Sequence, residues 1–234
     1  MKRIFILFLA LAGITGAMSQ GCLPEGITFT TQAEIDSFQS NYPGCTIIEG
    51  NVTIEADTGG DITNLNGLSI LTSIAGDLTI STNYILGSLS GLTNLTTLGG
   101  NLSVTGNDFL FNLQGLDNLT IVGGYFYIEG NYFMKNLTGL GDLNIIGGTL
   151  QIRNTNLTSL TGLENLTSIG DYLVLDNNDS ITSLTGLEGL TSIGGLSIYC
   201  NDVLVNLTGL GSVVSVGNGI YIEYNNSLAS LTGM

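Results

Sequence analysis

Histidine and tryptophan are absent from this chain of 234 residues, and four lysines and arginines stand against 19 aspartates and glutamates. Without histidine, the usual nucleophile–base pairs and histidine metal sites cannot be built. With a formal charge of −15, no basic patch is available to neutralise phosphates, which excludes nucleic acid as a partner. Electrostatic docking on an anionic membrane is excluded on the same ground. After the N-terminal leader no stretch approaches ~20 unbroken apolar residues, so no membrane span is expected. Cysteine is scarce as well, at three residues. The acidity itself reads as solubility of an exported protein.

The leader is MKRIFILFLALAGITGAMSQ. Lys2 and Arg3 form a positive start, Ile4 to Ala12 an apolar segment, and Ala17 and Ser19 are small residues placed for cleavage before Gln20. Residues 1–19 therefore read as a signal peptide, and the protein is expected to be secreted or held at the cell surface. Acylation at Cys22 would need a leucine-type residue where Ser19 stands. Loss of Lys2 and Arg3 takes the formal charge from −15 to −17 and leaves Lys135 and Arg153 as the basic residues. Export to an oxidising compartment permits a disulfide between Cys22 and Cys45, which flank the segment before the repeats. Cys200 is then free.

A leucine-rich unit dominates the rest. Units open at Leu65, Leu89, Leu113, Leu137, Leu160, Leu184, Leu207 and Leu231, spaced 23 or 24 residues apart. A fixed period of this length means a solenoid, in which each coil buries its apolar face against its neighbours. Leu78-Thr79-Ile80 alternates apolar and polar, as do Leu102-Ser103-Val104, Phe126-Tyr127-Ile128 and their later equivalents. These are strands with one buried face, stacked side by side as a parallel sheet. Three residues on comes an asparagine, at 83, 107, 131, 178, 201 and 225. An inward asparagine at such a bend can satisfy backbone groups of adjacent coils. The coil from Leu137 is one residue short there and carries Asn154-Thr155, so its ladder is expected to break. The coil from Leu184 is short at the Gly194-Gly195 turn.

Residues 20–46 read as an N-terminal cap and 47–234 as the repeat solenoid. Thr31-Gln32-Ala33-Glu34 has capping-box spacing, Ile35, Phe38 and Tyr42 make one helical stripe, and Pro43-Gly44 ends it. The first sheet segment is expected at Gly50 to Ile54. At the far end Leu231 to Met234 begins a coil that does not close, so the sequence is expected to be truncated there.

The pattern L-x-I-x-x-N-x-x-L-x-x-L-x-G-L resembles leucine-rich repeats. Ile74-Ala75-Gly76-Asp77-Leu78-Thr79-Ile80 resembles the I-x-G-x-L-x-I of the receptor L domain more closely. The cap with its paired cysteines looks like that of exported bacterial proteins of this type. The resemblance covers about residues 46–234. It implies a right-handed, β-helix-like, largely all-β solenoid with a short capping helix, and a binding or adhesive role rather than catalysis.

Alternation places Tyr127, Gln151, Val174, Ser197 and Tyr221 in one outward column and Glu129, Arg153, Asp176, Tyr199 and Glu223 in the next. Tyr125 and Tyr172 fall in the column before. Aromatics beside carboxylates suit sugar stacking or a protein hot spot. The expected function is a secreted or surface binding module for protein or carbohydrate, acting through this face towards its C-terminal half, with no cofactor and no metal. The bland alternative is a structural surface spacer without a ligand. Two further readings are weaker. Glu129, Asp176 and Glu223 lie two coils apart, a span compatible with an inverting glycoside hydrolase, but a solenoid face offers no cleft. Threonine and serine pairs at 72–73, 96–97, 167–168 and 191–192 could form an ice-binding array, but Ile121, Asn144-Ile145 and Val214 interrupt the row.

Overall fold

The computed structural model describes residues 21–57 and 59–234; the expected signal peptide lies outside them. The chain winds as a β-solenoid of about eight turns with one short helix. Each coil contributes to two rows of parallel strands. The long row starts with Ile27–Phe29, Val52–Glu55, Leu78–Ser81, Leu102–Thr105, Phe126–Glu129 and Leu150–Arg153. It continues through the later part of Ser168–Asp176 and of Ser192–Tyr199 to Ile220–Glu223. The short row holds Ile47–Ile48, Ser73–Ile74, Thr97–Leu98, Ile121–Val122 and Ile145–Ile146, then the first residues of the two long strands, then Ser215–Val216.

Register follows the repeat. Val52, Leu78, Leu102, Phe126, Leu150, Leu173, Leu196 and Ile220 pair in sequence across the long row. The missing residue of the coil from Leu184 appears where the sequence placed it. Ile169 pairs with Ile193, but Tyr172 pairs with Gly195 across a register shift.

Packing explains why the coils stack. In the coil from Leu89, Leu89, Leu92, Leu95, Leu98, Leu102, Val104 and Leu110 are all buried. Gly115 has φ of 114°, and a Cβ there would run into the Leu89 carbonyl of the preceding coil. This repeat glycine therefore sets how closely two coils approach at their leucine corner.

The asparagine ladder is real and has one gap. Asn83 N–H donates to Asn107 Oδ1 at 3.1 Å, and Asn107 N–H to Asn131 Oδ1 at 3.0 Å. Each side-chain amide also donates to a carbonyl of the preceding coil, as Asn107 Nδ2 does to Ile80 O at 2.9 Å. Thr155 occupies the ladder position in the short coil. Its Oγ1 donates forward to Asn178 Oδ1 at 2.7 Å, and the rung between Asn131 and Thr155 is missing. From Asn178 the ladder resumes through Asn201 to Asn225.

Hydroxyls of the short row are engaged in the fold. Thr96 Oγ1 donates to Thr72 O at 3.0 Å, Thr120 Oγ1 to Thr96 O at 2.9 Å, and Thr191 Oγ1 to Thr167 O at 3.1 Å. Each of these hydroxyls ties its coil to the carbonyl of the one before and so serves the stacking of the fold.

The cap closes the first coil as its residues dictate. The helix Gln32–Asn41 begins at Thr31 with both halves of the capping box in place, and it buries Ile35 and Phe38. Phe38 packs its ring against Phe29 and Tyr42. Hydrogen bonds from the Thr30 backbone hold the Glu34 carboxyl below its ordinary pKa. Cys22 is bonded to Cys45, and Cys200 is free. The sequence reading missed the strand Ile27–Phe29, which pairs parallel to Val52–Glu55 and extends the long row by one strand. Only two of its three residues are apolar, too short a run to show periodicity.

Two substitutions test this account. Asn107→Ala leaves the Asn83 N–H without a partner in a dry interior and strips the Ile80 carbonyl of its amide donor, and should lower unfolding stability by about 2–4 kcal/mol in urea titration. Serine at both Cys22 and Cys45 should cost about 3 kcal/mol by the same measurement.

Candidate ligand-binding site

The outward columns form as alternation requires. Thr53, Thr79, Ser103, Tyr127, Gln151, Val174, Ser197 and Tyr221 pair in one line, and Glu55, Ser81, Thr105, Glu129, Arg153, Asp176, Tyr199 and Glu223 in the next. Within them the structure brings together a smaller set than the sequence proposed. A depression of about 590 Å³ lies over the middle coils, and Tyr125, Tyr127, Gln151 and Arg153 line it with Asp77, Asn101 and Asp171.

Its upstream edge follows from a second polar ladder. Asn51 Oδ1 accepts from Asp77 N–H, Asp77 Oδ1 from Asn101 N–H, and Asn101 Oδ1 from Tyr125 N–H at 2.7 Å. The short side chains stop at Tyr125, whose exposed ring then stands as a wall. Thr149 comes next in this column and donates to Asp171 Oδ2 at 3.1 Å.

Tyr127 and Arg153 tie the depression to a polar network beside it. Tyr127 donates its phenol to Glu129 Oε2, and Asn154 Nδ2 donates to Glu129 Oε1 at 2.8 Å. Arg153 Nε lies 2.9 Å from Asp176 Oδ2 in an ion pair. Burial pushes the Tyr127 phenol up to about 12, with the bonded Glu129 adding to the shift and Arg153 opposing it. Glu129 and Asp176 are thus each held by neighbouring side chains.

The remaining candidates stand elsewhere. Tyr172 lies over Gly195, where a Cβ would strike its ring, and Tyr221 covers Gly219 in the same way. These rings fill space left by glycines, as the Tyr125 ring does over Gly148. Tyr199 packs edge-on to Tyr224 at 5.1 Å. Desolvation, then Cys200 and Tyr224, hold its phenol above the ordinary value. Tyr221 and Glu223 sit on Ile220–Glu223, which pairs with Ser192–Tyr199. Of the expected set, Tyr125, Tyr127 and Arg153 line the depression, and Glu129, Tyr172, Asp176, Tyr199, Tyr221 and Glu223 do not. Sequence reasoning overlooked Asp77 and Asn101, just before their strands, and Asp171, within Ser168–Asp176; the repeated Gly-Asp and Gly-Asn steps were their signal.

Cys200 occupies the bend after the sheet, with φ of 52°, in a column with Thr82, Gly106, Gly130, Asn177 and Tyr224, all at positive φ. Backbone conformation, not thiol chemistry, defines that position. Among the described residues no group of three or more Cys, Asp or Glu side chains is arranged to hold a metal ion. No helix among them is long and apolar enough to cross a membrane.

Fold and columns together define a leucine-rich β-solenoid whose sheet carries a polar, aromatic outer face. The receptor L domain family model matches residues 44–101, so the resemblance read from the repeats is shown over that stretch. The match holds the strands Val52–Glu55 and Leu78–Ser81, and the same register carries on beyond it. No curated protein and no solved structure compared with the chain matches it. The receptor L domain is a non-enzymatic, ligand-binding module of receptors.

Tyr127 yields a titration prediction. A phenol whose native pKa is raised keeps its proton longer than in the unfolded chain. Its contribution to stability is therefore complete below about pH 10 and is lost as pH rises towards about 12. In alkaline absorbance titration one of the nine tyrosines should ionise late, near the value of about 12, and Tyr127→Phe should remove that step.

Proposed function

We propose that this chain is an extracellular binding module that takes a carbohydrate on the outward face of its long strand row. The observation that carries the reading is the depression over the middle coils, where the Tyr125 ring stands beside Asp77, Asn101, Gln151, Arg153 and Asp171. An exposed aromatic face supplies the apolar contact a sugar ring needs. Amides, carboxylates and a guanidinium supply donors and acceptors for its hydroxyls. The receptor L domain match supports a binding role, and the Cys22–Cys45 disulfide fits an oxidising location.

A glycan microarray probed with the protein tests the reading, followed by calorimetry on a retained oligosaccharide. Tyr125→Ser and Arg153→Ser should each weaken binding at least about tenfold, or ~1.4 kcal/mol. Tyr199→Ser and Tyr221→Ser, outside the depression, should leave affinity unchanged. An array without retained glycans, or equal affinity in Tyr125→Ser, would return the chain to the role of a spacer.

A further inference from the structure

A second groove lies at the bend that follows the long row, and none of its lining residues lines the sheet-face depression. It measures about 630 Å³. Its floor is the column of positive-φ residues, which is glycine at 106 and 130 and a larger residue at 82, 154 and 177. A Cβ added at Gly106 or Gly130 would meet nothing closer than 3.8 Å or 3.9 Å respectively. Side chains would fit at both positions, and the groove exists because the two central coils have none.

The walls are acidic and aromatic. Glu129 stands on the sheet side, and Tyr84, Asp108 and Tyr132 succeed one another along the opposite side, with Asp179 further on. No lysine or arginine lines the groove. Asp108 and Asp179 have no hydrogen-bond or ion-pair partner among the described residues. Immediately beyond the tyrosine wall runs a ridge of exposed apolar side chains: Ile85 at 46%, Phe109 at 51%, Phe111 at 57% and Phe133 at 49% exposure. Phe133 lies 5.7 Å from Phe109 and 6.1 Å from Phe111, ring to ring. The fold does not require this ridge, since the coil from Leu160 carries Ser180 and Thr182 at the equivalent places. Exposed apolar clusters of this kind, rimmed by polar residues, mark interaction surfaces.

We propose that this groove and ridge form a docking site for a protein segment that presents a lysine or arginine beside apolar side chains. Charge complementarity selects the occupant. The groove offers carboxylates and tyrosine faces, which attract a cation both by charge and by the ring quadrupole. The apolar stem of a lysine or arginine lies well along a tyrosine wall. Anionic ligands meet no basic side chain here. A glycan would gain little from the ridge, where the phenylalanines carry no hydroxyl and pack at angles to one another. A protein hot spot uses such a ridge directly. The site is separate from the sheet-face reading and does not depend on it.

The probe is a short fluorescein-labelled peptide of alternating leucine and lysine, compared with a leucine–glutamate and a serine–lysine peptide of equal length. Fluorescence anisotropy should show the leucine–lysine peptide bound at least about tenfold more tightly than either control. Gly106→Asn with Gly130→Asn fills the groove without changing charge, and Asn154 and Asn177 already hold that bend conformation. This variant, and separately Phe109→Ser with Phe133→Ser, should each weaken binding at least about tenfold, whereas Tyr125→Ser should not. A thermal melt checks that each variant is folded. Equal binding by the groove-filled variant would overturn the proposal, because general attraction to an acidic protein would then account for it. Retention of a neutral oligosaccharide that the phenylalanine variant abolishes, with no peptide bound, would make the groove a glycan site. Loss of a wild-type dimer in the same variant, with no peptide bound, would make it a self-association surface.

Discussion

Everything in this molecule depends on the lateral contact between one coil and the next. A coil of 23 or 24 residues encloses only a handful of aliphatic side chains, too few to offset the ordering of its own backbone. Stacking changes the balance in three ways at once. Leucines of neighbouring coils bury one another, strand backbones pair in parallel, and inward asparagines satisfy the bend groups that stacking would otherwise strand. Stability then grows with the number of neighbours rather than with the quality of any one coil. Residues with no role inside their own coil, such as Gly115, are fixed by the coil beside them.

The same contact writes the surface. Because register is locked coil by coil, every outward position becomes a column, and a substitution in one coil sits beside its equivalents about 4.8 Å away on either side. Columns that serve the fold are monotonous: threonines along the short row, asparagines at the bend. Columns that can serve recognition are those where one coil departs from its neighbours. Tyr125 interrupts a run of short polar side chains, and Gly106 and Gly130 interrupt a run of larger ones. Both departures fall in the middle coils, where a neighbour on each side gives the cavity two walls.

Much of this was legible in the sequence because the repeat turns sequence spacing into spatial register. The period gave the coils, the alternation gave the columns, and the two short coils showed their missing residues at Asn154-Thr155 and Gly194-Gly195. The capping box and the cysteine pair rest on local spacing and were equally open to reading. Ring direction was not legible. Tyr125 and Tyr172 share a column and Tyr221 stands in the next, yet all three rings lie against glycines, at 148, 195 and 219. Column membership cannot show this, because the deciding neighbour is the residue a ring falls on, not the one it pairs with. The phenylalanine ridge was missed for a related reason: Phe109, Phe111 and Phe133 lie outside the alternating strands, and among the described residues it is there that phenylalanine rings are exposed.

The acidity of the chain acquires a more specific meaning in this light. Spread evenly, an excess of carboxylates serves solubility and little else. Here the few basic groups and the bonded carboxylates sort themselves by face. Arg153 sits with Asp176 on the sheet side, next to a Glu129 already held by Tyr127 and Asn154. At the bend, Asp108 and Asp179 stand without such partners. The sheet-face depression therefore sets a guanidinium among carboxylates and amides, and the bend groove sets carboxylates beside apolar rings with no basic side chain. A solenoid has no deep pocket with which to be selective. It discriminates by the sequence of chemistry along its columns, and these two faces differ enough in that chemistry to select different kinds of ligand.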